Sequence, residues 1–299
     1  MSSLVFLLIF LVIGLVAQKL LPEDKQMLLA NFLNKFVIYI SLPALVIISM
    51  VDLKVDTKFL LPAITAWGLF IFASILVLIL AKIFNWSKSL TCAMLLLVTY
   101  GNSSFLGIPF TKAFYGDSAV AYAIIYDQLG SFLILSIFGV ITLSLYSTKR
   151  ANFKEIIFKI ITFPSFVALV IALLLNPSVI PNWAYETLEL IAKTLTPVAL
   201  IAIGLFLKLK LPKHHIKPLT IALSLKLLIL PLLVLLIFKA LNLNDISAKV
   251  TLLEVSMAPM ITASMLAIMA NIQRDFVAST LGYGIALSFI TAPLLLTLY

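Results

Sequence analysis

Tyr100-Gly101-Asn102-Ser103-Ser104-Phe105-Leu106-Gly107-Ile108-Pro109 is the stretch on which the reading of this chain turns. It places glycines, a proline and three polar side chains in the middle of a long apolar segment. In hydrocarbon, backbone groups released from a helix have no water to bond, so such a break persists only where protein or a wet cavity covers it. A second break, Glu254-Val255-Ser256-Met257-Ala258-Pro259, lies in a corresponding apolar segment of the second half. Paired interrupted segments of this kind mark the binding site of a secondary transporter.

The composition requires a membrane. Of 299 residues, 63% are hydrophobic and 11% charged, and the mean hydropathy is +1.19; soluble domains carry roughly a quarter charged residues. The net charge of +9 does not point to nucleic acid, because the basic residues sit in short gaps between apolar runs and form no continuous patch. A single cysteine, Cys92, excludes an intrachain disulfide. The chain enters apolar sequence directly after Met1-Ser2-Ser3 without a basic leader, which predicts a first span and no cleaved signal.

With roughly 20 apolar residues per crossing, the expected spans are 3–21, 30–51, 59–82, 90–115 (broken), 119–146, 156–176, 184–207, 217–239, 247–270 (broken) and 276–298. The fold class is therefore an all-α integral membrane protein with ten transmembrane helices. Lys and Arg concentrate in the odd-numbered gaps, as in Lys149-Arg150-Ala151-Asn152-Phe153-Lys154 and at Lys208, Lys210, Lys213 and Lys217. By the positive-inside rule those gaps are cytoplasmic and both termini lie outside. The basic linker 149–155 divides the chain into five spans in 1–148 and five in 156–299. An odd number of spans per half inverts the second half relative to the first. Leu42-Pro43-Ala44-Leu45 and Thr196-Pro197-Val198-Ala199 are local echoes of such a repeat.

Three ionisable residues fall deep inside spans. Glu254 lies about six residues into span 9, roughly 9 Å at about 1.5 Å per residue, and Asp127 lies at similar depth in span 5. Lys226 is too deep for its stem to reach an interface, so it is expected to face the bundle interior. The free backbone groups at the breaks, with Asn102, Ser103 and Ser104, provide donors for an anion and hard oxygens for a small cation. Glu254 is read as an ion-coupling group, with Asp127, Asn102 and Ser104 as its companions, and Lys226 as a substrate counter-charge or the partner of a static ion pair with Glu254 or Asp127. His214-His215 is not read as a metal site, since adjacent side chains on a helix diverge. No nucleotide-binding loop, H-E-x-x-H or G-x-S-x-G motif is present, so the chain is read as neither an ATP-driven pump nor an enzyme.

Gly101-Asn102-Ser103-Ser104-Phe105-Leu106-Gly107-Ile108-Pro109, Asp127-Gln128-Leu129-Gly130-Ser131-Phe132 and Glu254-Val255-Ser256-Met257-Ala258-Pro259-Met260-Ile261-Thr262-Ala263-Ser264 resemble the auxin efflux carrier family, prokaryotic-type permeases included. The resemblance implies two inverted five-helix repeats, similar to the bile acid/sodium symporter-like fold, with helices 4 and 9 unwound and crossing at Pro109 and Pro259 beside the substrate. It implies a substrate site at Asn102, Ser103, Gly107, Pro109, Lys226, Pro259 and Met260, and a crossover domain that moves against a scaffold. The function so read is secondary transport, symport included, of a small organic anion such as a mono- or dicarboxylate, with no cofactor beyond H⁺ or Na⁺ as coupling ion. A sensor that binds its ligand without moving it is the alternative. The partners expected are the anion, the bilayer and a second copy of the chain, paired through spans 1, 2, 6 and 7, and no nucleic acid.

Overall fold

The computed structural model describes residues 2–51, 56–146, 153–175, 180–207, 209 and 215–299. Every regular element among them is helical: α1 (Ser2–Leu20), α2 (Glu23–Phe36), α3 (Leu42–Met50), α4 (Leu60–Ile83), α5 (Lys88–Val98), α6 (Ile108–Tyr115), α7 (Val120–Ile125), α8 (Val140–Tyr146), α9 (Phe153–Thr162), α10 (Pro164–Leu174), α11 (Asn182–Lys193), α12 (Leu195–Phe206), α13 (Ile216–Ser224), α14 (Leu230–Ala240), α15 (Ile246–Val255), α16 (Ile261–Met269) and α17 (Arg274–Thr297). Short π- and 3₁₀-turns join several of these into longer rods. Among the described residues, six rods are long and apolar enough to cross a membrane: Glu23–Met50, Thr57–Ile83, Asp117–Tyr146, Asn182–Phe206, Ile216–Ala240 and Arg274–Thr297. The basic residues Lys149, Arg150, Lys208, Lys210 and Lys213, and also His214, lie outside the described residues.

The expected span 156–176 is not straight. Phe153–Thr162 and Pro164–Leu174 meet at 58°, and the cause is local: Phe163, preceding Pro164, is extended at φ −71°, ψ 119°, because the proline ring excludes its neighbour from the helical region. The rod containing the expected span 30–51 starts earlier, at Glu23, where two acidic residues, Glu23 and Asp24, occupy the first turn and complement the exposed amides there.

Exposure separates two kinds of apolar surface. On α1, Val5, Phe6, Ile9, Val12, Ile13 and Val16 are exposed at helical spacing while Leu7 and Leu11 are buried, the pattern of a helix with one face to lipid and one to protein. The buried side meets α12 at Gly14 and Gly204. The Gly204 Cα stands 2.9 Å from where a Gly14 Cβ would project, so the two backbones touch with no side chain between them. Spans 1 and 7 of the sequence reading thus pack on each other at this point.

Both interrupted spans start with a capped helix. The Ser87 hydroxyl accepts from Leu90 N at 3.2 Å at the head of α5, and the Asp245 carboxylate from Ala248 N at 2.9 Å at the head of α15. Each cap satisfies an amide that the helix leaves unpaired. The two helices then run inward and unwind near each other.

Candidate functional site at the helix crossing

The two unwound segments are joined by an isolated antiparallel bridge between Gly101 and Pro259. Asn102 N donates to Ala258 O at 2.9 Å, and Met260 N to Tyr100 O at 3.2 Å. Gly101 and Pro259 are therefore the non-hydrogen-bonded pair of this small ladder, the position that needs no amide hydrogen. Proline fits there for that reason.

Pro109 is not at the crossing. It sits in the first turn of α6, where a missing N–H and a fixed φ suit a helix start. The second half of this span begins upstream of it, in the π-turn Ser103–Gly107, with Asn102 O accepting from Leu106 N and Gly107 N at 3.2 and 3.0 Å. The resemblance had implied a crossing of prolines; the first partner is a glycine instead. At Gly101 a Cβ would meet Lys226 Nζ at 3.2 Å and Glu254 O at 3.4 Å, so the missing side chain lets a buried ammonium rest against the crossing.

The three deep charged residues have separate surroundings. Asp127 is 1% exposed and its carboxylate collects three donors: Ser103 Oγ and Ser104 Oγ on Oδ1, each at 2.5 Å, and Gln128 Nε2 on Oδ2 at 2.7 Å. Glu254 is fully buried; Oε1 accepts from Thr111 Oγ1 at 3.1 Å, and Oε2 has no partner. Its carboxylate lies against Gly107, in the space that a side chain there would fill. Lys226 is 2% exposed and forms no ion pair with either acid. The static Lys226–Glu254 or Lys226–Asp127 pair considered from the sequence is thus not formed. Two ion pairs away from the crossing are Lys112–Asp117 at 2.7 Å and Lys193–Glu189 at 2.8 Å.

Helix irregularity places these groups. Ser103 and Ser104 lie in the π-turn Ser103–Gly107, Asp127 in Tyr126–Phe132 and Lys226 in Leu225–Ile229. A π-turn widens the helix by one residue and is common where function displaces the regular ladder. Tyr126–Phe132 is tied to its neighbour by Trp67 Nε1, which donates to Leu129 O at 2.9 Å.

A small cavity of about 70 Å³ adjoins the crossing; its polar lining comprises Ser104, Asp127, Ser136, Lys159 and Thr262, with Met260 beside them. Of the residues expected at the site from the sequence, Ser104, Asp127 and Met260 reach this cavity, and Asn102, Gly101 and Pro259 form the crossing beside it. Ser103 points to Asp127, and Gly107 supports Glu254. Pro109 instead lines a larger, open cavity of about 700 Å³ together with Lys112 and Lys193. Thr111, Ser136 and Lys159 were not singled out in the sequence. Lys159 lies on α9, which meets α10 at 58° beside Pro164, and it lines the cavity.

Asn102 completes the site. It is 2% exposed, and its side-chain Nδ2 has no hydrogen-bond partner. A buried amide donor left unmatched costs about 1–3 kcal/mol, and one placed at the junction of two broken helices is available to a ligand.

Apolar rods, two interrupted helices joined at their breaks and buried charges around the junction define a multi-pass membrane protein of the transporter class. A family model described as Membrane transport protein matches residues 1–296, and the chain belongs to that family, which includes the auxin efflux carriers. Among curated proteins it is similar to an uncharacterized transporter of Methanothermobacter thermautotrophicus, 28% identical over 211 residues, which is 70% of this chain and 67% of the relative. It is also similar to an uncharacterized transporter of Methanocaldococcus jannaschii, 23% identical over 264 residues, 84% of each chain.

Proposed function

We propose that this protein is a secondary transporter of a small organic anion, a mono- or dicarboxylate, working by alternating access around the Gly101–Pro259 crossing. The observation that carries the reading is the buried, unpartnered Nδ2 of Asn102 at that crossing. A carboxylate supplies the acceptor it lacks, and Lys226 against Gly101 supplies positive charge close by. Lys159 adds a second cation on the wall of the adjoining cavity. A volume of about 70 Å³ holds roughly two waters at about 30 Å³ each, so the site widens to load its substrate.

Ten crossings follow if α1 and the pairs α5–α6, α9–α10 and α15–α16 each cross together with the six long rods. The two five-span halves 1–148 and 156–299 then form inverted repeats, with both termini outside. The matched caps on α5 and α15 and the antiparallel meeting of their breaks support this plan. Movement of one repeat-spanning unit against the other is what exposes the site to each side in turn.

The test is counterflow of radiolabelled mono- and dicarboxylates in proteoliposomes, comparing wild type with Asn102→Ala. Saturable flux that falls at least tenfold in the variant is the expected result. Binding of a carboxylate with no flux under any imposed gradient removes the carrier reading.

A further inference from the structure

The coupling ion is the part of this mechanism on which the two buried carboxyls differ, and the inference here rests on the transporter reading above. We infer that Glu254 is a proton-carrying group, bound through its carboxyl between Thr111 and Gly107, and that Asp127 is a fixed anion that does not exchange its proton during transport.

The argument starts from donors. Asp127 receives three hydrogen bonds, from Ser103, Ser104 and Gln128, each at 2.7 Å or less. Such a set matches an acceptor-only carboxylate. Glu254 has a single donor at 3.1 Å on Oε1, and Oε2 is buried without any partner. An ionised carboxylate with one oxygen unsolvated in a fully buried site is costly; with a proton on Oε2 the group is neutral and the cost falls.

A sodium ion does not fit these residues as well. Hard cations are held by several oxygens. Around Glu254 the side-chain oxygen within hydrogen-bonding reach is that of Thr111, while the nearby hydroxyls of Ser103 and Ser104 are directed to Asp127. The crossing already has a cation in Lys226 Nζ, which lies against Gly101 together with the main-chain carbonyl oxygen of Glu254. With Asp127 negative, Lys226 positive and Glu254 protonated, the buried charges balance.

On α7, which packs against α15, Tyr122 stacks on Phe59. Asp127 and Tyr126 are within electrostatic reach of Glu254. On α6, Lys112 is paired with Asp117 and Tyr115 is half-buried. On α4, α14 and α17 the charged residues, Lys82, Lys239, Arg274 and Asp275, stand in the terminal turns, and Tyr283 donates to Leu209 O. None of these occupies the free side of Oε2.

Gly107 is the second half of the device. Its lack of a side chain seats the carboxyl of one broken span on the backbone of the other. A change in the crossing therefore moves the surroundings of Oε2. The proton enters from water on the side to which the site is open and leaves to water on the other, with Glu254 alternating between carboxylic acid and carboxylate.

Infrared spectroscopy of the purified full-length protein in lipid tests this without a substrate. At neutral pH wild type should show the C=O stretch of a protonated carboxyl; it should disappear in Glu254→Gln and persist in Asp127→Asn. Thr111→Val, which removes the donor to Oε1, should keep the band to higher pH. Absence of the band in wild type, or its loss in Asp127→Asn with retention in Glu254→Gln, overturns the inference. In proteoliposomes, the ratio of carboxylate uptake with and without a pH gradient should fall to about one in Glu254→Gln, and in Glu254→Asp the pH of half-maximal uptake should move. A ratio unchanged in Glu254→Gln overturns coupling at this residue and leaves the anion reading standing. Absence of carboxylate flux in wild type sinks the anion reading, and the infrared band then decides the protonation site by itself.

Discussion

Glu254 and Gly107 belong to different interrupted spans, and the carboxyl of the first occupies the space where the second has no side chain. The contact fixes the approach of α15 to the π-turn Ser103–Gly107 and sets how the two breaks can move. Gly107→Ala forces the carboxylate aside and should destabilise the protein by about 1–3 kcal/mol, the range for overpacking. In the background Glu254→Ala the same substitution should cost much less, since the obstructing group is gone. Thermal unfolding in detergent of the two single variants and the double variant measures the coupling, and additive effects would show that the contact carries no energy.

Lys226 predicts opposite signs for stability and function. Lys226→Met removes a buried ammonium that has no carboxylate partner, and replacement of buried charge by a packed apolar side chain commonly stabilises by about 1–4 kcal/mol. Anion transport should weaken, with KM rising about tenfold, or about 1.4 kcal/mol of binding. A melting temperature that rises while KM rises supports a ligand-facing role; a fall in both stability and transport would assign Lys226 to the scaffold.

Asp127 depends on hydroxyls from the neighbouring interrupted span. Ser103→Ala with Ser104→Ala leaves Oδ1 without its donors, and an unsatisfied buried charge of this kind costs about 1–3 kcal/mol or more. Asp127→Asn in the double-alanine background should recover part of that loss, because the neutral amide needs less solvation. Equal stability of the double-alanine variant with and without Asp127→Asn would argue against the interaction.

Gly284 predicts the importance of the proline at the crossing. A Cβ there would stand 2.5 Å from Pro259 Cδ, so Gly284→Ala should displace Pro259 and slow transport. Pro259→Ala in the same chain should relieve the clash, since the bridge takes no hydrogen bond from residue 259. Failure of the second substitution to restore flux would place the effect of Gly284 elsewhere.

The sequence makes some of these features readable and hides others for physical reasons. The breaks were visible because Gly101, Asn102, Ser103 and Pro259 interrupt apolar runs, and composition alone requires a membrane. The Lys193–Glu189 pair follows from i,i+4 spacing. Pro109 misled because a proline marks both unwound and initiating positions, and only the bridge distinguishes Gly101 as the residue facing Pro259. Lys159 was hidden by the bend at Phe163, and the π-turns under Asp127 and Lys226 have no signature in residue type. Thr111 was overlooked because its partner, Glu254, is remote in the chain, and a single sequence holds no distance information between them.

The glycine contact between α1 and α12 has a consequence for biogenesis. Gly14 is translated 190 residues ahead of its backbone partner, Gly204. The first helix therefore enters the bilayer without its mate and waits in lipid or beside the insertion machinery until residue 204 has emerged. A chain halted before that point should leave α1 accessible to crosslinking by lipid-borne reagents, and one extended past it should not.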